Sequence, residues 1–382
     1  MRVLIVYPKM YLYGGGELLI VRLANYLTEM EIENALLTTD ISPEIENDLI
    51  GTKIIKYSYR AIQRDPKPLD PFRTLWLLNK GVRKNLKHFD IINVHNYPAE
   101  LSIYPYHKPV VWMCNEPPEV GVQIRLHDEP KHSLRHLIFR VFLAFDRHVV
   151  RHYIKNVVVA DEFNEIRFRR IYGFNPHILN YGIDHHFFAD HFKDNRGKAT
   201  DQFTMLHVGM LTSLKNQMES IKTIEKLKDT IPGIKLILAG SAQGQYLLSL
   251  QEYIRAKQLE EHVEITGHLS KEHLRNLYHT CDVLLHPIKS QGGWLSPFEA
   301  LCARVPIVVS SEMTASNLIK KENLGIVTDN FASAILDIYK NPAKYNEMAT
   351  WRAEWVRDNL SWDNFCEKML KVFTETLNDN VH

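Results

Sequence analysis

Cysteine is scarce in this chain, and the four present (Cys114, Cys281, Cys302 and Cys366) lie far apart. That excludes a disulfide scaffold and the close Cys spacing of a structural zinc site. Cys114, Cys281 and Cys302 sit among apolar residues, where buried thiols are the ordinary outcome. Charge of one sign is lacking too: 46 Lys and Arg against 45 Asp and Glu leave a formal net charge of +1. So even a balance excludes bulk electrostatic binding of nucleic acid, while leaving room for a local basic patch. No apolar run reaches about 18 residues, the length that a membrane-spanning helix needs. The opening MRVLIVYP is expected to be a first strand and not a signal peptide. There is no repeat of fixed short period and no low-complexity tract.

What is present is ordinary globular material. An apolar fraction of 45% with 24% charged residues fits a soluble protein, and 382 residues suffice for two domains, each with its own core. Short apolar runs predict strands over 3–7, 35–38, 91–95, 109–113 and 156–159, then over 204–208, 235–239, 263–266, 283–286 and 307–310. Between them the periodicity predicts helices over 17–30, 71–86, 134–153, 216–230, 247–258, 271–279, 297–303 and 331–340. Strands alternating with helices predict parallel α/β units. The pattern breaks near 179–204, where NYGIDHHFFADHFKDNRGKATDQF is rich in Asp, Asn, Gly and charge, as a linker should be. Two doubly wound domains follow, divided there. A final helix from 362 keeps Phe365, Met369, Val372 and Phe373 at helical spacing. Ligand sites in such sheets lie outside the carboxyl ends of the strands, here expected in a cleft between domains.

Three stretches carry chemistry. Residues 286–310 read HPIKSQGGWLSPFEALCARVPIVVS: strand end, glycine loop, helix, strand. Ser296 is expected at the N-cap, with Pro297 opening the helix and Glu299 three residues past the cap. Such a start aims backbone N–H groups and a positive dipole end at a loop whose Gly292 and Gly293 let a ligand come close. It suits an anion, with nucleotide phosphate the natural candidate. Glu299 admits two readings: the reciprocal partner of Ser296 in a capping box, or the acceptor of two hydrogen bonds from a vicinal diol such as ribose. YGGGE over 13–17, at the start of the first helix, reads as another anion cradle or as a plain tight turn; it fits neither G-x-G-x-x-G nor the P-loop. HVGMLTSLKN over 207–216 puts Lys215 at a helix start, where the dipole disfavours a cation. Either an anion sits nearby or Lys215 is a solvated surface lysine.

Together with NYGID over 180–184, these stretches resemble the family 4 glycosyltransferases over essentially the whole chain, most strongly over 181–310. Gly14, Gly15, Gly16 and Glu17 look like that family's Gly-Gly-x-Glu loop. Asn180, Gly182 and Asp184 match its Asn-Gly-x-Asp hinge entry. Gly209 and Lys215 match its Gly-Arg-x4-Lys donor motif, and Gly240 its glycine-ended second strand. Leu295, Pro297, Glu299 and Ala300 match the latter part of its Glu-x7-Glu motif. The chain departs at three places: Gln291 stands for the first glutamate of that motif, Met210 for the arginine, and Asn115 for a histidine after the fourth strand. Gln291 still hydrogen-bonds sugar hydroxyls. Met210 takes one cation from the diphosphate site, which Lys289 or Arg304 could replace. Asn115 cannot exchange protons as an imidazole does, although neighbouring Glu116 can.

The resemblance implies a GT-B fold: two Rossmann-like, doubly wound α/β domains facing a central cleft. The acceptor domain would be 1–182, completed by a C-terminal helix at 362–382 that crosses back to it, and the nucleotide-sugar donor domain 183–361. It implies a retaining, metal-independent hexosyltransferase without cofactor. Such an enzyme moves a sugar from a nucleotide-diphosphate sugar to a glycan or polyprenyl-linked acceptor. Lys215 and the backbone of Gly14, Gly15 and Gly16 would then act on phosphate, with Gly209 and Gly240 lining the donor. Glu299 would hold the ribose, and Gln291 with Gly292, Gly293, Trp294 and Leu295 the transferred sugar. Asn115 and Glu116 would contact sugar or acceptor, or serve their loop alone. The departures also admit a catalytically silent nucleotide-sugar-binding subunit. A nucleotide-sugar epimerase is a further alternative, against which the scarcity of titratable groups counts.

Residues 131–155 carry six Lys and Arg against one Asp, with four histidines. Leu134, Ile138, Val141, Phe145 and Val149 form one stripe, and His136, Arg140, Arg147 and Arg151 another. The helix reads either as one drawn to anionic lipid or a polyprenyl diphosphate, or as an ordinary amphipathic helix on its sheet. The cytoplasm is the expected address, with peripheral contact at the inner face of the cell membrane as an option. No nucleic-acid partner is expected.

Overall fold

The computed structural model describes residues 1–11, 14–58, 70–119, 133–189, 202–241, 244–289 and 292–379. Contacts divide the chain into two units, Met1–Asn180 with Trp362–His382, and Tyr181–Ser361.

In the first unit the strands are β1 (Arg2–Val6), β2 (Glu33–Thr38), β3 (Lys53–Lys56), β4 (Ile91–His95), β5 (Val110–Met113), β6 (Asn156–Val159) and β7 (His177–Ile178). All pair in parallel in the order β3-β2-β1-β4-β5-β6-β7. Val3, Leu4, Ile5 and Val6 are all fully buried, as expected of a strand covered on both faces. Its helices are α1 (Gly15–Glu29), α2 (Pro43–Asp48), α3 (Asp70–Asn85), α4 (Leu134–Tyr153) and α5 (Glu162–Tyr172). The last is bounded by an N-cap at Asp161, whose Oδ1 accepts from the Asn164 N–H at 2.7 Å, and by Gly173 at φ 84°.

The second unit has β8 (Thr204–Val208), β9 (Lys235–Ala239), β10 (Val263–Gly267), β11 (Val283–His286), β12 (Ile307–Val309) and β13 (Ile326–Val327), parallel and ordered β10-β9-β8-β11-β12-β13. Its helices are α6 (His185–Ala189), α7 (Gln217–Leu227), α8 (Gly244–Ala256), α9 (Lys271–Thr280), α10 (Leu295–Cys302), α11 (Ser316–Lys321), α12 (Phe331–Lys340), α13 (Pro342–Glu347) and α14 (Ala349–Asn359). The terminal α15 (Trp362–Asn378) belongs to the first unit, where Thr376 Oγ1 accepts from Asn156 Nδ2 at 2.9 Å.

Each sheet reverses its strand order once, between β1 and β4 and between β8 and β11. The loops leaving those strands at their carboxyl ends flank the crevice where α/β sheets bind ligands.

Two expectations need correction. Helix α10 begins at Leu295 with Trp294 as its N-cap, so Ser296 and Pro297 lie inside its first turn. The Trp294 ring stacks on Phe298 at 5.0 Å and meets Tyr181 edge-on at 5.8 Å, an aromatic anchor that fixes the helix start two residues early. The apolar stripe of α4 does not lie wholly on the sheet either. Val149 and Val150 are core, whereas Leu134 (72%), Leu137 (57%), Ile138 (56%) and Val141 (64%) are exposed. A 20-residue helix far outruns the four-residue strands β5 and β6 that it connects. Its first half therefore has little sheet to cover.

Candidate functional site

At the reversal in the second sheet, the loop after β8 begins with Gly209 at φ 148°. Beside it Gly240 ends β9 at φ 156°, and a Cβ there would collide with the Gly209 carbonyl. Only glycine permits this approach. The loop is pinned from within by Gln217, whose Nε2 donates to the Met210 carbonyl at 3.2 Å. The Met210 side chain is itself exposed. The same loop is then stitched to the one after β11. Asn216, at φ 58°, donates from Nδ2 to the Pro287 carbonyl at 2.9 Å, and Lys289 N–H donates to the Leu214 carbonyl at 2.9 Å.

Lys215 completes the stitching. Its Nζ donates to the Gly292 carbonyl at 2.6 Å, across 77 residues of sequence. The ammonium is thus held over the glycine loop and is not a freely solvated surface charge. Gly292 has open space where a Cβ would sit, while a Cβ on Gly293 would come within 3.2 Å of Lys215 Nζ. Leu295 opens α10, whose early N–H groups lack helical partners and follow directly on this loop. An anion arriving here would meet a cation, a glycine backbone and a helix N-terminus together. Arg304 lies past the opposite end of α10, while Lys289 directly precedes the loop and is exposed. Gln291 lies outside the described residues.

Glu299 is partly buried, and its Oε2 accepts from the Tyr278 hydroxyl at 2.9 Å. With the helix cap at Trp294, Glu299 is not the third residue past it, so the capping-box reading fails. Burial pushes its carboxyl up to about 7, against the pull of the Tyr278 hydrogen bond and the Lys271 charge. A carboxyl poised so close to neutrality, with one oxygen engaged by a tyrosine, suits a diol ligand that brings its own donors.

The first unit gathers a second constellation at its own reversal. Glu17 Oε2 accepts from the Gly14 N–H at 3.1 Å, and its Oε1 accepts from the Tyr7 hydroxyl at 3.0 Å. Asn96 Nδ2 donates to that hydroxyl at 3.1 Å, and Asn115 Nδ2 donates to Asn96 Oδ1 at 2.6 Å. One chain of hydrogen bonds therefore joins the ends of β1, β4 and β5 to the start of α1. A Cβ on Gly16 would lie 2.8 Å from the Tyr7 hydroxyl, so glycine is needed for that approach. Gly15 opens the helix beside it, and Tyr13 lies outside the described residues. Glu116 is partly buried and lends its negative field to the Arg167 guanidinium.

Sequence reasoning singled out Lys215, Glu299, Asn115 and the glycines, and passed over Tyr7, Asn96 and Tyr278, which the structure joins to Glu17, Asn115 and Glu299. None of the three lies in a local motif; each matters through a partner brought to it by the sheet. Among the described residues, no group of three or more His, Cys, Asp or Glu is gathered for a metal, and no helix is long and apolar enough to cross a membrane.

Comparison with known proteins gives the same halves. The model for "Glycosyltransferase Family 4" matches residues 13–187, and that for "Glycosyl transferases group 1" matches residues 189–354. A Bacillus subtilis (strain 168) protein named as a teichuronic acid biosynthesis glycosyltransferase, TuaC, is 23% identical over 330 residues, which is 84% of this chain and 77% of that protein. Among solved structures, HepE of Anabaena in complex with UDP-glucose is 16% identical at a TM-score of 0.76, covering 99% of this chain and 100% of that one. Sucrose-phosphate synthase of Thermosynechococcus elongatus is 15% identical at a TM-score of 0.79, covering 99% of each chain. Likeness at this identity shows the fold, GT-B with two Rossmann-like domains.

Proposed function

The chain belongs to the family 4, group 1 glycosyltransferases, and from that premise we propose that it is a retaining, metal-independent hexosyltransferase drawing on a nucleotide-diphosphate sugar. The observation that carries the reading is the meeting of Lys215 with the Gly292 carbonyl at the strand-order reversal of the second sheet. There Lys215, the glycine backbone and the start of α10 would stabilise the departing diphosphate, which is where charge develops in such a reaction. Glu299 would hold the ribose, Gln291 and the backbone of Gly292, Gly293, Trp294 and Leu295 the transferred sugar, and Gly209 and Gly240 would keep the floor of the donor site clear of side chains.

In the first unit, the same reading assigns Asn115 and Glu116 to sugar or acceptor contacts and Gly14, Gly15 and Gly16 to an anionic group. The acceptor would be a glycan or a polyprenyl-linked glycan, with the product entering polysaccharide biosynthesis. Support for a cytoplasmic protein resting on the inner face of a membrane comes from the exposed first half of α4, with Leu134, Leu137, Ile138 and Val141 bare to solvent beside Arg140.

A catalytically silent binding subunit is separated by experiment. Labelled donor is incubated with the protein and candidate acceptors, and both sugar transfer and nucleoside diphosphate release are counted. Replacing Lys215→Ala is expected to cost about 2–4 kcal/mol of transition-state stabilisation, or roughly 30- to 1000-fold in turnover. Turnover unchanged by Lys215→Ala would sink its role on the leaving group, and donor binding without any release would favour the silent subunit.

A further inference from the structure

Two histidines stand near the carboxyl ends of the strands that flank the reversal in the second sheet, His207 as the penultimate residue of β8 and His286 as the last of β11. Each is 1% exposed, and their rings lie 5.7 Å apart, centroid to centroid. His207 Nδ1 meets Ser220 Oγ at 2.8 Å. Its Nε2 has no hydrogen-bond partner, and the polar group facing the His286 ring is the Gly293 backbone, which favours the protonated imidazole. A buried polar atom left unpartnered, as His207 Nε2 is, calls for an explanation beyond packing.

The surroundings supply one. A Cβ on Gly293 would lie 2.6 Å from His286 Nε2 and 3.2 Å from Lys215 Nζ, so the Gly293 backbone passes directly over an imidazole and an ammonium. The titratable or charged groups felt by His286 are His207 and Lys215, and His207 feels Lys215. Burial first, then those neighbours, hold His286 well below the ordinary imidazole range against the pull of the Gly293 backbone; burial and Lys215 hold His207 down to about 3. Both rings are neutral while Lys215 is the local cation. An anion on Lys215 reverses the sign of the local field, and a negative charge within about 4–6 Å favours the imidazolium.

We propose that His286, with His207 behind it, is a positioning residue that takes up one proton from solvent when the diphosphate of a nucleotide sugar docks on Lys215 and the Gly292–Gly293 backbone. The imidazolium then supplies the second positive charge that the neutral Met210 does not, and gives it back when the diphosphate leaves. This inference rests on the donor-site reading above.

The test uses the full chain labelled with 15N-histidine and UDP-glucose as probe, because a diphosphate diester has no proton of its own to exchange near neutrality. Long-range 1H–15N spectra at about pH 7.5 distinguish a neutral ring from an imidazolium. On saturation, one buried histidine should pass to the imidazolium pattern, and its signals should be missing in His286→Gln. Calorimetry in two buffers of different ionisation enthalpy should show wild type taking up as much as about one proton more than His286→Gln, a comparison in which any proton exchanged at Glu299 cancels. Binding of UDP-glucose with every histidine unchanged would overturn the proposal and leave the donor site standing. The wild-type spectra decide the matter even if His286→Gln does not fold. A protein that binds none of UDP-, GDP-, ADP- and dTDP-glucose loses the donor reading and the proposal together.

Discussion

Burial holds the Glu299 carboxyl near 7 in the folded protein, against an ordinary value of 4.5. The folded state therefore grips this proton more tightly than the unfolded chain. Its contribution to stability is complete below about 4.5 and falls as pH rises through about 7. Glu299→Gln, which has no proton to lose, should gain on wild type by about 1 kcal/mol between about pH 6 and about pH 8. Urea denaturation at the two pH values measures this; a difference that stays constant would mean the carboxyl does not titrate near neutrality. Lys215 and Glu299 were legible in the sequence because each stands in a short motif whose spacing implies its surroundings. The partners that give them meaning were not, since Tyr278 reaches Glu299 across 21 residues and Gly292 reaches Lys215 across 77. Only the sheet brings such positions together.

Among the elements, α4 makes the most exposed commitment. The second half of the helix packs on the sheet, as its stripe suggests, and the first half presents the same kind of side chains to solvent. Periodicity alone cannot separate these halves, because an apolar stripe looks the same whether a sheet or a lipid surface covers it. Wild-type protein should sediment with vesicles containing phosphatidylglycerol, less so at high salt. The double variant Leu137→Glu, Val141→Glu should stay in the supernatant, with stability within about 1 kcal/mol of wild type because both positions are exposed. Wild type that ignores the vesicles, or a variant that still follows them, would remove α4 as a docking face. Helix α10 teaches a related lesson: a serine and a proline set out a persuasive cap, but Trp294 packing on Phe298 and Tyr181 decided where the helix begins.

For the whole molecule, the two α/β units were legible because strands buried on both faces must be apolar runs. The strands left unread are at edges. β3 is KIIK, with a lysine at each end, and β7 has two residues, so neither shows an apolar run long enough to stand out. Helix α14 was unread because polar residues surround it; even its buried Arg352 is there to donate from Nε to the Asn323 carbonyl at 3.2 Å. The central claim is that the reversal between β8 and β11 is a nucleotide-sugar donor site held by Lys215. Thermal unfolding with a panel of nucleotide-diphosphate sugars tests it most directly, using wild type and Lys215→Ala side by side. At a hundredfold excess over its dissociation constant, the matching donor should stabilise wild type by about 2.7 kcal/mol, and the variant markedly less at the same concentration. A panel that shifts neither protein, or one donor that shifts both equally, would contradict the account.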